Sequence, residues 1–166
     1  MQRKGIAVNI LMTYYSFSGN TEKIVNVWAE KLKEKGLVVV QRLKPKQEIM
    51  TFGAQCRAAL TKQRAELENG IDYDASHYDL VVIGCPVWAF APVPAMNTYL
   101  DKVNGLHGKR AIVLLTSGSG LGVKKCFKNI RVVLESKGIT RIDEINIPDR
   151  KQGDKDFIVS SIENYL

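Results

Sequence analysis

Ser16, Ser18, Asn20 and Thr21 are side chains able to hydrogen-bond an anion, and they crowd around a single glycine, Gly19. The apolar residues Ile6, Val8, Ile10 and Leu11 precede them in strand-like order. Ile24, Val25, Val27, Trp28 and Leu32 follow, spaced to fall on one side of a helix. A strand, a hydroxyl-rich loop and a helix start gather free backbone N–H groups and the positive end of a helix at one point. That arrangement is an anion site, most often for phosphate. No Lys or Arg lies within the loop, so amides and hydroxyls alone are expected to hold the anion. The plainer alternative is a loop that only caps the helix through Thr21 or Ser18. Capping needs one hydroxyl, and this loop offers three around its glycine.

Other reactive side chains lead to less. Cys85 ends an apolar run, but a Cys-x5-Arg phosphatase loop needs Arg at position 91, where Ala91 stands. Cys85 reads better as a small buried residue. His77 and His107 are isolated and read as surface or turn residues. Cys56, Cys85 and Cys126 lack metal-ligand spacing, and their odd number suits a reduced, cytoplasmic setting. A phosphoacceptor domain needs carboxylates at the end of the first strand, which instead reads Met12-Thr13-Tyr14-Tyr15. The G-x-x-x-x-G-K-[ST] nucleotide loop is absent.

The elements that must position these residues alternate between strand and helix patterns. Strands are expected over Gly5–Thr13, Leu37–Leu43, Leu80–Gly84, Arg110–Thr116 and Ile139–Ile147. Helices are expected over Thr21–Lys35 and Thr51–Leu67, through Met96, Tyr99, Leu100 and Val103, through Val123, Phe127, Ile130 and Leu134, and over Asp154–Tyr165 with Leu166. In the second helix, Phe52, Cys56, Ala59, Leu60 and Leu67 form the expected buried stripe. This order predicts an α/β domain over residues 1–166, a doubly wound parallel sheet with strand order 2-1-3-4-5 and helices on both faces. Ligands of such sheets bind beyond the carboxyl ends of the strands, where the winding reverses. Three loops meet there: Ser16–Thr21, Cys85–Pro94 and Thr116–Gly122.

At 166 residues and 45% apolar composition, the chain has material for one core. No stretch has the roughly 20 apolar residues of a membrane helix, and Met1-Gln2-Arg3-Lys4 does not open a signal peptide. The net charge of +7 is spread along the chain, as on a solvated basic surface. Zinc-finger spacing, an aromatic RNA-binding signature and a basic tail are all missing, which argues against nucleic acid. Lys124, Lys125, Lys128 and Arg131 share the outer face of the fourth helix. They read as an ordinary polar face, or as a docking site for an acidic redox protein or a nucleotide phosphate.

Tyr15-Ser16-Phe17-Ser18-Gly19-Asn20-Thr21 resembles the phosphate loop of the flavodoxin family, [ST]-x-[ST]-G-x-T. Gly84-Cys85-Pro86-Val87-Trp88, with Pro92 and Pro94, resembles the family's second flavin loop, and Thr116-Ser117-Gly118-Ser119-Gly120 its third. The resemblance implies non-covalently bound FMN, with Ser16, Phe17, Ser18, Gly19, Asn20 and Thr21 at its phosphate. It implies flavin contacts from Pro86, Val87, Trp88 and Ala89 and from Thr116, Ser117, Gly118 and Gly120. Trp88 would lie against the isoalloxazine; alternatively it packs on its own prolines and Phe90. The third loop lacks the tyrosine that many carrier flavodoxins place there, so one flavin face is left open unless Leu121 or another residue covers it. Two functions follow from the resemblance. One is electron transfer with a redox protein, an acidic one such as a ferredoxin or reductase given the basic charge. The other is an NAD(P)H-dependent FMN oxidoreductase acting on a quinone or similar small acceptor.

Overall fold

A computed structural model describes residues 8–165. Five parallel strands form one sheet in the order β2-β1-β3-β4-β5, as the alternation of patterns predicts. They are β1 (Val8–Tyr14), β2 (Gly36–Arg42), β3 (Leu80–Pro86), β4 (Arg110–Ser117) and β5 (Arg141–Pro148). The helices are α1 (Asn20–Leu32), α2 (Phe52–Leu60), α3 (Pro94–Lys102), α4 (Val123–Ser136) and α5 (Lys155–Glu163), and a 3-10 turn, Asp149–Lys151, follows β5. The expected strand start at Gly5 and the helix residue Leu166 lie outside the described residues.

β3 is central and apolar on both faces, so its Leu-Val-Val-Ile run is buried throughout. One face of the sheet packs on α1 and α5 through Ile10, Met12, Trp28, Ile112 and Ile158. The other packs on α3 and α4 through Leu11, Ile83, Met96, Val113 and Phe127. Trp28 joins the two helices of the first face. Its indole N–H donates to the Ile158 carbonyl at 2.9 Å and to Ser161 Oγ at 3.2 Å. A buried indole needs such a partner, and this one ties α5 to the helix that begins at the anion loop.

The second helix is shorter than its pattern predicts. It ends at Leu60, and Lys62 turns into the left-handed region at φ 53°. The chain then runs extended, and Leu67 pairs with Pro45. The expected stripe does not form: Phe52 and Leu60 are exposed and Cys56 is half-buried, whereas Ala59 and Leu67 are buried. Tertiary pairing of the segment after Leu60 overrides an Ala- and Leu-rich helical propensity. Strand boundaries move by smaller amounts, with β3 running on to Pro86 and β5 starting at Arg141. No helix among the described residues is long and apolar enough to cross a membrane.

Trp28→Phe keeps most of the buried volume but removes both hydrogen bonds that the indole N–H makes to α5. It is expected to cost about 1–3 kcal/mol, read as a lower urea midpoint at constant slope.

Candidate functional site

β1 ends at Tyr14 and the chain turns through Ser16–Ser18 into α1. Gly19 makes the turn at φ 87° and serves as the helix N-cap, so the cap residue itself offers no side chain. The hydroxyls are occupied otherwise. Ser16 Oγ accepts from the Glu22 N–H at 3.3 Å, and Thr21 Oγ1 lies 3.0 Å from Thr116 Oγ1 in a buried contact with β4. Among the described residues, nothing accepts from the N–H groups of Ser18, Gly19, Asn20 or Thr21. Neither Thr21 nor Ser18 caps the helix; Ser16 takes one first-turn amide, and those of Ser18, Gly19, Asn20 and Thr21 stay free. The helix start presents unpaired donors and the positive end of its dipole to open space. α5 shows the contrast, since Asp154 accepts from the Phe157 N–H and closes that helix in the usual way.

The helix start comes close to the sheet because β3 carries Gly84. A Cβ there would stand 3.4 Å from Thr21 Cγ2 and 3.3 Å from Tyr14 Cβ. Arg42, at the end of β2, was not legible as part of the loop. Its guanidinium donates to the Ser16 carbonyl at 3.0 Å and to both Glu22 carboxylate oxygens at 3.0 and 3.1 Å. Tyr14 Oη donates to the same carboxylate at 3.0 Å. Burial and that hydrogen bond push the Tyr14 phenol up to about 12. The expectation of a loop without a cationic side chain is thus modified: a cation braces the loop from behind, with its charge matched by Glu22.

The second loop folds back on itself. Trp88 and Ala91 exchange backbone hydrogen bonds at 3.1 and 3.0 Å, with Ala89 at φ 44° and Phe90 at φ 68° between them. Two left-handed residues in a two-residue loop mark a type I′ turn, usually built from Asn and Gly. Here it is built from Ala and Phe, so the backbone is strained. Phe90 lies over Gly122, the N-cap of α4 at φ 79°, where a Cβ would come within 2.3 Å of Phe90 Cδ1. The second loop is thereby seated on the third. Trp88 meets Tyr15 and Phe17 edge-to-face at 5.7 and 6.1 Å.

A cleft opens between the three loops, with about 490 Å³ of empty space that is partly open to solvent. Ser16, Phe17, Ser18, Asn20, Thr21, Pro86, Val87, Trp88, Thr116, Ser117 and Gly118 line it. Gly19 shapes the loop through its backbone. Ala89 and Gly120 lie off the cleft wall, in the turn beyond Trp88 and at the outer end of the third loop. Asp149, from the 3-10 turn after β5, also lines the cleft and has no sequence signal to announce it. Asn146 of β5 accepts from Ser117 Oγ at 3.1 Å. Trp88 forms one wall of the cleft, and its other side faces a smaller hollow floored by Tyr15, Ile49 and Val93. The third loop and the turn after β5 contribute Thr116, Ser117, Gly118 and Asp149, with no aromatic among them, and Leu121 is 71% exposed.

Cys85 is buried behind the second loop, and burial pushes its thiol up to about 12, which leaves it protonated and inert. His77 and His107 sit exposed in turns. No cluster of metal-ligating side chains exists among the described residues.

The strain and the seating give opposite expectations. Ala89→Gly relieves a left-handed alanine and is expected to stabilise the fold by about 1 kcal/mol. Gly122→Ala drives a methyl into Phe90 at a left-handed position and is expected to destabilise by about 2 kcal/mol or more. Thermal unfolding of the two variants checks both signs.

Among curated proteins, none matches the sequence. A flavoprotein from Lactobacillus acidophilus NCFM, solved in complex with FMN, superposes with a TM-score of 0.69 at 23% identity, covering 90% of this chain and 98% of that one. An NADH:FMN oxidoreductase in its apo form superposes at 0.65 and 18% identity, over 96% of this chain and 88% of that one. A flavodoxin from Streptococcus pneumoniae TIGR4 superposes at 0.53 and 13% identity, over 95% and 99%. At these identities the likeness is one of fold. The sequence itself matches the family described as flavodoxin over residues 9–146. With strand order, loop geometry and sequence in agreement, the chain belongs to the flavodoxin family.

Proposed function

We propose that this protein binds FMN non-covalently in the three-loop cleft and serves as an electron-transfer protein for a redox-protein partner, with residues 1–166 forming one FMN-binding unit. The observation that carries the reading is the start of α1, where the free amides of Ser18, Gly19, Asn20 and Thr21 open into a cleft walled by Trp88. The FMN bound by the Lactobacillus acidophilus relative supports it.

The residues present fit the group. The N–H groups of Ser18–Thr21, with the hydroxyls beside them, suit a phosphate dianion with no cationic side chain in contact. Trp88 offers a flat apolar face to an aromatic ring and excludes water from that side. Pro86 and Val87, with Thr116, Ser117 and Gly118 across the cleft, offer backbone polar groups to the ring's edge. Bound FMN would supply the redox chemistry, taking up and releasing electrons. This chain's contribution is to position the group and set its potential. Asp149 places a carboxylate in the cleft, and its charge opposes further negative charge on whatever is bound there. The free cysteines fit a reducing compartment, and we place the protein in the cytoplasm.

One observation favours a second reading. The third loop adds no aromatic side chain to the cleft, which suits a nicotinamide or quinone stacking against the flavin. In that case the protein is an NAD(P)H-dependent FMN oxidoreductase.

Titration of the purified protein with FMN, followed by quenching of flavin fluorescence, tests the cofactor. Saturable binding is expected, weakened at least about 100-fold in Ser18→Asp/Thr21→Asp, where two carboxylates confront the phosphate. An unchanged affinity in that variant overturns the phosphate assignment. Rapid NADPH or NADH oxidation by the loaded protein would select the oxidoreductase reading over the carrier. Asp149→Asn is expected to raise the midpoint potential of the loaded protein by some tens of millivolts; an unmoved potential removes Asp149 from that role.

A further inference from the structure

α4 runs away from the third loop, and its surface is not that of an ordinary polar helix. Lys124, Lys125 and Lys128 are exposed and make no ion pair among the described residues. The fourth basic residue of the run behaves differently. Arg131 is taken up by Glu144 at 2.7 Å and by Glu135 at 3.6 Å. Asp101, across the groove on α3, is held by Arg64 at 2.7 Å. The three lysines therefore present uncompensated charge.

Exposed apolar side chains bracket that charge. Leu121 is 71% exposed at one end and Val132 is 57% exposed at the other. Residues 125, 128 and 132 follow one another at helical spacing on α4, and Leu121 stands in the loop just before its Gly122 N-cap, so Lys125 and Lys128 lie between the two apolar residues. Phe90, 45% exposed and seated on Gly122, widens the apolar end next to the cleft. Beyond Lys128 the surface dips into a groove between α3 and α4, lined by Pro92, Leu100 and Val133, with Lys62 on its rim.

We propose that this face of α4 as far as Val132, with Leu121 in the loop before it, is a docking surface for an acidic protein. The proposal rests on the electron-transfer reading only in taking that protein to be a redox partner. Charge complementarity selects the partner's sign, since a chain of net charge +7 steers an acidic surface to its densest unpaired lysines. The apolar residues select its kind. Protein interfaces combine an apolar centre with charged surroundings, whereas a nucleic-acid backbone gains little from exposed Leu, Val and Phe. A membrane-bound helix needs its own apolar face outward, and here Val123, Cys126, Phe127, Ile130 and Leu134 turn that face into the core. The surface begins where the third loop leaves the cleft, so a partner seated on it lies at the cleft's edge.

The test titrates the FMN-loaded protein with an oxidised plant-type [2Fe–2S] ferredoxin, a small acidic probe, by calorimetry. Binding is expected at about 20 mM salt and is expected to weaken at least about tenfold at about 200 mM. Lys125→Glu/Lys128→Glu is expected to weaken it about tenfold or more at low salt. Lys33→Glu/Lys35→Glu makes the same change in net charge at the far end of α1 and is expected to leave binding within about twofold. Leu121→Ser/Val132→Ser is expected to weaken binding severalfold with an unchanged salt dependence. Absence of ferredoxin binding at low salt, or equal weakening by both lysine pairs, overturns the proposal. So does binding of duplex DNA or phosphatidylserine vesicles with the same dependence on Lys125 and Lys128. A parallel titration without FMN keeps the two conclusions apart. Failure to take up FMN counts against the cofactor, and loss of the Lys125 and Lys128 effect counts against the surface.

Discussion

Helix α1 begins with amide groups that no side chain satisfies, and its neighbours hold it in that condition. Ser16 Oγ reaches past the first amides to Glu22, and Thr21 Oγ1 turns away to Thr116 on β4. Arg42 fixes the loop through the Ser16 carbonyl, which leaves the donors facing outward free. These donors open toward solvent, where water or an anion completes them. The close approach at Gly84, the hydrogen bond of Trp28 to α5 and the sheet order all serve to place this one helix end above the reversal between β1 and β3.

The other two loops are fixed by contact with each other. Gly122 leaves space for Phe90, and the turn carrying Phe90 holds Trp88 against Tyr15 and Phe17. Two left-handed residues without glycine cost about 1–2 kcal/mol each. The surroundings that enforce them are the paired hydrogen bonds of Trp88 with Ala91 and the seat on Gly122. The cleft wall is thus held by geometry that the turn's own sequence disfavours, a common condition at binding sites.

Much of this could be read from the chain because its signals are local. The apolar run of β3 has no polar position to suggest an edge, and Ser16–Thr21 carries its chemistry within one short segment. The amphipathic pattern of α4 marks Val123, Phe127, Ile130 and Leu134 of its buried face, and only Cys126 escapes it. The second helix misled because an alanine- and leucine-rich run looks helical, while the pairing of Leu67 with Pro45 that ends it is a contact between distant segments. Arg42 and Asp149 were hidden for the same reason. Nothing near either residue marks it, and only the register of β2 against β1 and the turn after β5 bring them to the first loop and the cleft. Arg131 had the opposite fault. It looks like part of a free basic run until β5 brings Glu144 beside it.

The strand order also bears on how the chain is assembled. Leu11 has Val39 as its partner on one side and Val81 on the other. During synthesis β1 and β2 can meet long before β3 emerges, and a parallel two-stranded pair is marginal by itself. Until β3 arrives, β1 exposes an apolar edge, and β2 keeps Leu37, Val39 and Val40 partly exposed even in the finished fold. The nascent chain is therefore most prone to pair with a neighbour in that interval. The insertion of β3 between β1 and β4 closes it, and with it sets the pace at which the molecule becomes safe from its own edges.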